Sequence, residues 1–318
     1  MPEGHSIHRL ALQLSSVFGG QRVAASSPQG RFVAGAAGLD GRVLTRASAH
    51  GKQLFVEFAD APDESQTPPI FLRVHLGLYG AWSFGGDKSF MGASSIGAPR
   101  KIGERELAGS PDAAYDGPPA PVGAVRLRLV SDDGWADLRG PTACEVITEP
   151  ERDAVVARLG PDPLAGVSAG GVVGDDAGAH AGHDVVRFAA GLRKSASPVG
   201  LLLMNQAVIA GVGNIYRAEA LFRQKLDPWR PGRSVSTEEA TVLWDDLAVT
   251  MRDGVRAGRI ITTLPADRAS SSSSRVKRED AHYVYGRAGL PCRRCGTPVA
   301  VAEMAARKLF WCPGCQAS

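Results

Sequence analysis

The chain has 318 residues, 44% of them hydrophobic and 22% charged, with a formal net charge of +3. This is ordinary globular composition, long enough for two or three domains. No apolar run approaches the roughly 18 residues needed to span a bilayer, and no basic n-region followed by an apolar h-region opens the chain; a membrane partner is therefore not expected, and a cytoplasmic location is.

The chain opens MPEGHSIHRL. Ile7, Leu10, Ala11, Leu14, Val17 and Phe18 recur at helical spacing and predict an N-terminal helix with one buried face. Pro2 suits the first turn of such a helix, where its missing N–H costs nothing. With Met1 removed it would instead present a secondary amine, a nucleophile able to form an iminium with an aldehyde. From the opening alone both readings stand. Short strands follow at 42–48, 53–58, 70–76, 124–130 and 143–148, alternating or rich in Val, Leu and Phe. Loops are expected at 60–69 and 110–121. Such strands predict an antiparallel sandwich or barrel. The lone Cys144 is expected in its core.

The character changes at LGPDPL (159–164). The stretch 165–184 has six glycines in twenty residues and reads as a flexible insertion. From Val185 the pattern is helical. SPVGLLLMNQAVIA (197–210) predicts a buried helix, which GVGN (211–214) breaks. IYRAEALFRQK (215–225) resumes helical spacing, with Asn214 either capping it or helping its N-terminus accept a phosphate. A further helix is predicted over 236–258. PADRASSSSSR (265–275) has the composition of a mobile loop. From Arg252 to Ser318 there are 12 Lys and Arg against 5 Asp and Glu, a local net of +7 that leaves −4 for the remainder. A basic C-terminal stretch suggests an anionic partner such as nucleic acid.

Four of the five cysteines form two Cys-x-x-Cys pairs, Cys292/Cys295 and Cys312/Cys315, separated by 16 residues. This is the spacing of a four-cysteine zinc ribbon. One structural Zn2+ is expected there and no organic cofactor. Arg293, Arg294, Arg307 and Lys308 surround the pairs, so the module can also face phosphate.

Together, MPEG, HGK (50–52), HLGLYG (75–80), LMNQAVIAGVGNIYRAEALF (203–222) and VYGRAGLPCRRCG with FWCPGCQ resemble the formamidopyrimidine-DNA glycosylase / endonuclease VIII family of base-excision repair enzymes. The resemblance implies an α+β multidomain protein. Its parts are an N-terminal helix with an antiparallel β-sandwich (1–150), a helix–two-turn–helix domain (151–264) and a loop with a four-cysteine zinc finger (265–318). It implies double-stranded DNA with an oxidised or abasic lesion as partner, bound in the cleft between two domains with the damaged nucleotide flipped out, and a monomer.

By the same resemblance Pro2 attacks C1′ of the damaged nucleotide and Glu3 moves protons. A free α-amine has a reference pKa of roughly 7.7–8.0, and a helix N-terminus disfavours added positive charge, so a neutral Pro2 amine is expected. Lys52, Asn214 and Arg307 would grip phosphates, with His75 beside them, and Leu78 and Tyr79 would fill the hole left by the flipped base. HLGLYG points to the oxidised-pyrimidine branch of the family. Two rival readings remain: a purine-lesion glycosylase, and a non-catalytic zinc-ribbon protein that binds damaged DNA. His5 and Ser6 stand where family members often carry a second proline and an acidic residue, which leaves the lesion pocket open.

Overall fold

The computed structural model describes residues 2–60, 67–87, 90–97, 106–108, 117–167, 177–269 and 276–317, with backbone alone at 106–108 and 177–181. The chain divides into two compact units, 1–157 and 158–318. Among the described residues no helix is long and apolar enough to cross a membrane.

The first unit begins with α1 (Gly4–Phe18), whose Ile7, Leu10, Ala11, Leu14 and Phe18 are buried as their spacing requires. The helix starts two residues after Pro2, with Glu3 in the N-cap position, so Pro2 is not in its first turn. Gly19 and Gly20 end it, Gly20 at φ +77°. Short strands β1 (Gln21–Arg22) and β2 (Ala24–Ser26) and helix α2 (Val33–Leu39) lead into β3 (Val43–His50), β4 (Gln53–Ala59) and β5 (Ile70–His75). Then come β6 (Ala81–Gly86), β7 (Met91–Ala93), β8 (Ser95–Gly97), β9 (Glu106–Ala108), β10 (Val125–Val130), β11 (Gly134–Arg139) and β12 (Ala143–Thr148). All five predicted strands are present. Most residues of the predicted loops at 60–69 and 110–121 lie outside the described residues.

Two five-stranded sheets form, in the orders β1-β3-β4-β5-β12 and β2-β10-β11-β6-β8. The pairs recorded within them are antiparallel. Leu54, Val56, Phe58, Leu72 and Val74 of the first sheet meet Trp82, Phe84, Leu127, Leu129 and Leu138 of the second in one core that also takes the apolar face of α1. The period of two puts Phe55, Phe71 and Ile147 on the opposite face of the first sheet. There α3 (Glu149–Val156) covers them with Val155. Thr148 and Glu151 form a capping box at the start of α3, a signal already present in TEPE. Inside the second sheet Arg128 donates to both carboxylate oxygens of buried Asp137, at 2.7 and 2.8 Å.

The second unit holds α4 (Ala177–Arg193), α5 (Val199–Leu202), α6 (Asn214–Arg223), α7 (Thr237–Ala257) and the hairpin β13 (Ala300–Met304) and β14 (Arg307–Trp311). Two expectations are corrected here. Helix α4 starts inside the stretch read as a flexible insertion, while 168–176 of that stretch lie outside the described residues. The single helix predicted over 197–210 is only α5, followed by turns up to α6. Those turns bury apolar side chains as a helix would (Leu203, Ile209, Val212), yet their backbone is served locally. Asn205 Oδ1 accepts from Ala207 N, and the Gln206 amide donates to the carbonyls of Met204 and Val212 while accepting from Gly211 N. Gly211 takes φ +88°, open mainly to glycine. Helix α7 runs from an N-terminal capping box (Ser236, Glu239) to Gly258 at φ +66°, close to the predicted limits. The Ser-rich stretch 270–274 lies outside the described residues.

The Arg128–Asp137 pair has low exposure on both partners, whereas Arg46 of the Arg46–Glu57 pair is 66% exposed. Asp137→Ala, which strands a buried guanidinium, is expected to cost about 3–5 kcal/mol in urea unfolding. Arg46→Ala should cost no more than about 1 kcal/mol in the same assay.

Candidate active site and metal centre

In the first unit the chain enters α1 through extended backbone at Glu3 (φ −113°, ψ 177°). Glu3 is 1% exposed, Pro2 beside it is buried, and the Glu3 carbonyl accepts from Ser6 N at 2.9 Å. His5 and Ser6 are also buried and share a hydrogen bond, Nε2 to Oγ, of 3.1 Å. The terminus is thus part of the packed unit, as the buried helix predicted from the sequence requires.

Lys52 sits in the turn between β3 and β4, where His50 pairs with Gln53 and Gly51 takes φ +58°. His75, at the end of β5, donates from Nδ1 to the Lys52 carbonyl at 2.9 Å. That bond places the ring proton on Nδ1 and pins the lysine's backbone. The next residues form a turn, not a strand: Gly77 has φ +65°, and Gly80 N donates to Leu76 O at 2.9 Å. A Cβ on Gly77 would come within 1.8 Å of Thr142 Oγ1, so glycine is required there. The turn presents Leu78 at 46% and Tyr79 at 73% exposure, large side chains with nothing of the core to bury them. Cys144 packs against the core, and burial pushes its thiol up to about 12, so it is no nucleophile.

In the second unit the four finger cysteines bring their sulfurs within 4.8 Å of one another. Cys295 Sγ lies 3.4 Å from Cys312 Sγ, and Cys292 Sγ 3.9 Å from Cys315 Sγ. These are free thiols, not disulfides. A tetrahedral ion with Zn–S bonds of about 2.3 Å needs sulfurs about 3.8 Å apart, so the residues fit zinc. Gly296, at φ +78°, closes the first knuckle with a bond from its N–H to Cys292 O. Gln316 links the second knuckle to the helical part, accepting from Cys312 N and donating to Leu226 O, both at 2.9 Å.

Asn214 does not cap α6, as one reading of the sequence had it; Gly213 is the N-cap and Asn214 is the first helical residue. Its Nδ2 donates to Lys308 O at 2.9 Å, and its Oδ1 accepts from Arg217. Asn214 therefore lies against the hairpin that carries Arg307. Met304 pairs with Arg307, so Ala305 and Ala306 form a two-residue tip. Both have positive φ, +59° and +53°. Such a turn suits Asn-Gly; in alanine the left-handed region costs roughly 1–2 kcal/mol per residue.

Two buried residues that sequence reasoning passed over hold this region together. Arg217 is fully buried. Glu219, also fully buried, accepts from the backbone N–H of Tyr283, Val284 and Tyr285 at 2.8–2.9 Å and from the Thr262 hydroxyl. Most of these partners are backbone groups distant in sequence, which leave no local pattern to detect.

Pro2, Glu3, Lys52, His75, Leu78 and Tyr79 thus belong to the first unit, and Asn214, Arg307 and the cysteines to the second. Of these, the structure directly joins Lys52 to His75, Asn214 to the Arg307 hairpin, and the four cysteines to one another.

Three family models match the chain. Residues 1–135 match the formamidopyrimidine-DNA glycosylase N-terminal domain, 174–266 the formamidopyrimidine-DNA glycosylase H2TH domain, and 289–317 a zinc finger found in FPG and IleRS. The chain is 42% identical over 316 residues to Endonuclease 8 1 of Mycobacterium tuberculosis, covering 99% of this chain and 100% of the relative. It is 29% identical over 283 residues to formamidopyrimidine-DNA glycosylase of Geobacter sulfurreducens, covering 87% and 83%. Among solved structures, the FPG protein of Thermus thermophilus is similar with TM-score 0.67 and 25% identity, over 100% of this chain and 99% of that one. A Lactococcus lactis FPG mutant in complex with Fapy-dG-containing DNA shares the fold at TM-score 0.67 and 20% identity, over 100% of both chains.

Zinc removal by a strong chelator is expected to release about one ion per chain in a metallochromic assay and to unfold the 300–311 hairpin, read by the fluorescence of Trp311. Glu219→Ala leaves three N–H groups, two buried and one half-buried, without their acceptor. It should cost about 3–5 kcal/mol in urea unfolding, well above the ~1 kcal/mol expected for Thr262→Val.

Proposed function

The chain belongs to the formamidopyrimidine-DNA glycosylase family, DNA glycosylases of base-excision repair with abasic-site lyase activity, and from that premise we propose that it excises oxidised pyrimidines from duplex DNA by covalent catalysis at Pro2. The observation that carries this reading is the head of α1: Pro2 and Glu3 adjacent, both buried, on extended backbone that a packed helix holds. Removal of Met1 makes Pro2 a secondary amine. At a reference pKa of roughly 7.7–8.0 about a tenth to a sixth of an α-amine is neutral at pH 7, and the positive end of a helix dipole favours that neutral form. Its lone pair attacks C1′, and the bond from C1′ to the damaged base breaks as the base leaves with a proton. Glu3 donates a proton to the sugar ring oxygen, so the ring opens and an iminium joins Pro2 to C1′. The iminium withdraws electrons from C2′. Loss of a C2′ proton expels the 3′ phosphate, and a second elimination expels the 5′ phosphate. Water then hydrolyses the iminium and frees Pro2.

Lys52, Asn214 and Arg307 grip phosphates and so position the duplex without reading sequence. His75 acts behind Lys52, through its backbone carbonyl. Leu78 and Tyr79, exposed on a turn that Gly77 fixes, fill the space the flipped base leaves. Zinc folds the finger that presents Arg307. In this reading 1–150 supplies the chemistry, 151–264 the helical grip and 265–318 the finger, and the protein works as a monomer in the cytoplasm, at the nucleoid. The HLGLYG turn and the full-length likeness to a protein named Endonuclease 8 1 favour pyrimidine lesions. The likeness to proteins named formamidopyrimidine-DNA glycosylase keeps purine lesions as the second reading.

The test is borohydride trapping with untagged protein on duplexes carrying an oxidised pyrimidine, 8-oxoguanine or an abasic site. The expected result is a covalent adduct on the pyrimidine and abasic duplexes that maps to the N-terminal peptide. It should disappear with one extra residue ahead of Pro2 and fall at least ~100-fold in rate with Glu3→Gln. Preferential trapping on 8-oxoguanine would select the purine reading. Salt-sensitive DNA binding with no adduct on any duplex would refute the Pro2 mechanism.

A further inference from the structure

One hydrogen-bonded chain ties the first turn of α6 to both strands of the finger hairpin. Arg217 donates from Nη1 to Met304 O at 3.2 Å, on the strand entering the Ala305–Ala306 tip, and from Nη2 to Asn214 Oδ1. Asn214 donates from Nδ2 to Lys308 O at 2.9 Å, on the strand leaving the tip. The same guanidinium reaches Gly200 O in α5 at 3.4 Å, and Met304 Sδ packs so close to Gly200 that a Cβ there would lie 2.9 Å from it. Arg307 lies between the two clasped carbonyls, directly after a tip whose two alanines both hold left-handed backbone.

We propose that Arg217 is a positioning residue for the phosphate grip: acting through Asn214 and the Met304 carbonyl, it holds the Asn214 amide and the Arg307 hairpin as one rigid clip. The proposal rests on the reading of Asn214 and Arg307 as phosphate contacts. Four observations support it. A fully buried guanidinium is costly unless its N–H groups meet acceptors, and an apolar side chain would fill the same space without that cost. The planar fork of arginine lets one side chain serve Asn214, Met304 and Gly200 together, which the single ammonium of lysine cannot do in the same geometry. The Asn214 amide is also fixed against flipping, since its oxygen accepts from Arg217 and its nitrogen donates to Lys308; the second Nδ2 proton therefore has a set direction. The left-handed alanines are strained backbone that persists only where the surroundings hold it, and these bonds join the β13–β14 pairing in holding it.

The experiment uses full-length, zinc-loaded protein and measures affinity for a duplex with a stable abasic-site analogue from about 50 to 200 mM salt, where each phosphate neutralised by a cationic side chain adds about 0.9 to the slope of log K against log salt and a neutral amide contact adds affinity without slope. The variants are Arg217→Lys, Asn214→Ala, Arg307→Ala, the pair Arg217→Lys/Arg307→Ala, and a chain with two glycines inserted between Ala305 and Ala306. The insertion loosens the tip without touching a buried residue, so it keeps the test open if Arg217→Lys does not fold. Expected are a slope loss of about one for Arg307→Ala and, for Asn214→Ala, which removes a neutral contact, a roughly 2- to 10-fold loss of affinity at each salt with the slope kept. Arg217→Lys and the insertion should each lose up to about one in slope, weaken binding at every salt and raise KM more than they lower kcat, and the Arg217→Lys/Arg307→Ala pair should fall short of additivity. Ala305→Asn/Ala306→Gly, which suits the turn, should restore part of the slope that Arg217→Lys loses. If Arg217→Lys and the insertion keep wild-type slope and affinity while Asn214→Ala weakens binding and Arg307→Ala lowers the slope, the positioning role is wrong and the phosphate reading stands. If Asn214→Ala keeps wild-type affinity and Arg307→Ala keeps the full slope, the phosphate reading itself fails.

Discussion

The second unit depends on one buried carboxylate. Glu219 points from the middle of α6 at three successive backbone N–H groups, those of Tyr283, Val284 and Tyr285. A segment with three N–H groups aimed at one point satisfies neither strand nor helix on its own, and without an acceptor each would be a costly buried orphan. The carboxylate therefore sets the path of the chain as it approaches the first zinc knuckle. Phe222, one turn further along α6, stacks obliquely on Tyr283 with ring centroids 5.0 Å apart, and the Arg294 guanidinium lies over both rings. At the far end of the finger Gln316 reaches back to Leu226, just beyond α6. The finger is thus fastened on one side to α6 and on the other to the turn that follows it, and zinc closes what these contacts bring together.

The same helix explains why the parts of this unit cannot be read as separable modules. On α6, Asn214 and Arg217 face the hairpin, Ala218 and Phe222 join the apolar cluster of Val299 and Leu309, and Glu219 holds the 283–285 segment. A ten-residue helix so occupied has few positions left to vary. In the first unit the corresponding role falls to α1, whose apolar face is part of the sandwich core and whose entry fixes Pro2 and Glu3.

Much of this was legible in the sequence because it is periodic. Strands such as QLFVEF alternate, α1 and α7 show helical spacing, and two Cys-x-x-Cys pairs define their ion. The stretch 197–210 misled because apolar content marks burial and not conformation: Leu203, Ile209 and Val212 are buried in turns. What distinguished it were polar residues able to serve backbone locally, Asn205 and Gln206. Glycine content hid the start of α4, and the brevity of α3 hid the capping signal in TEPE. At the candidate site the sequence named the motif residues but gave no sign of Arg217, Glu219 and Gln316. Each bonds mainly to backbone groups, many of them distant in sequence, and such bonds impose no spacing on the chain.

The finger hairpin also carries an arithmetic constraint. In its register Arg307 opposes Met304, Leu309 opposes Ala302 and Trp311 opposes Ala300, so these share one face, while Lys308 and Phe310 take the other. Leu309 is fully buried and Cys312 follows at the end of the strand as a ligand. Adding or deleting one residue between Arg307 and Cys312 would invert the alternation. A lysine or an aromatic ring would then stand where Leu309 fills the core, and Arg307 would turn to the opposite side. Only changes of even length preserve the faces. The interval from guanidinium to metal ligand thus behaves as a ruler with a parity rule, and lineages of this chain can lengthen the hairpin's tip far more freely than its returning strand.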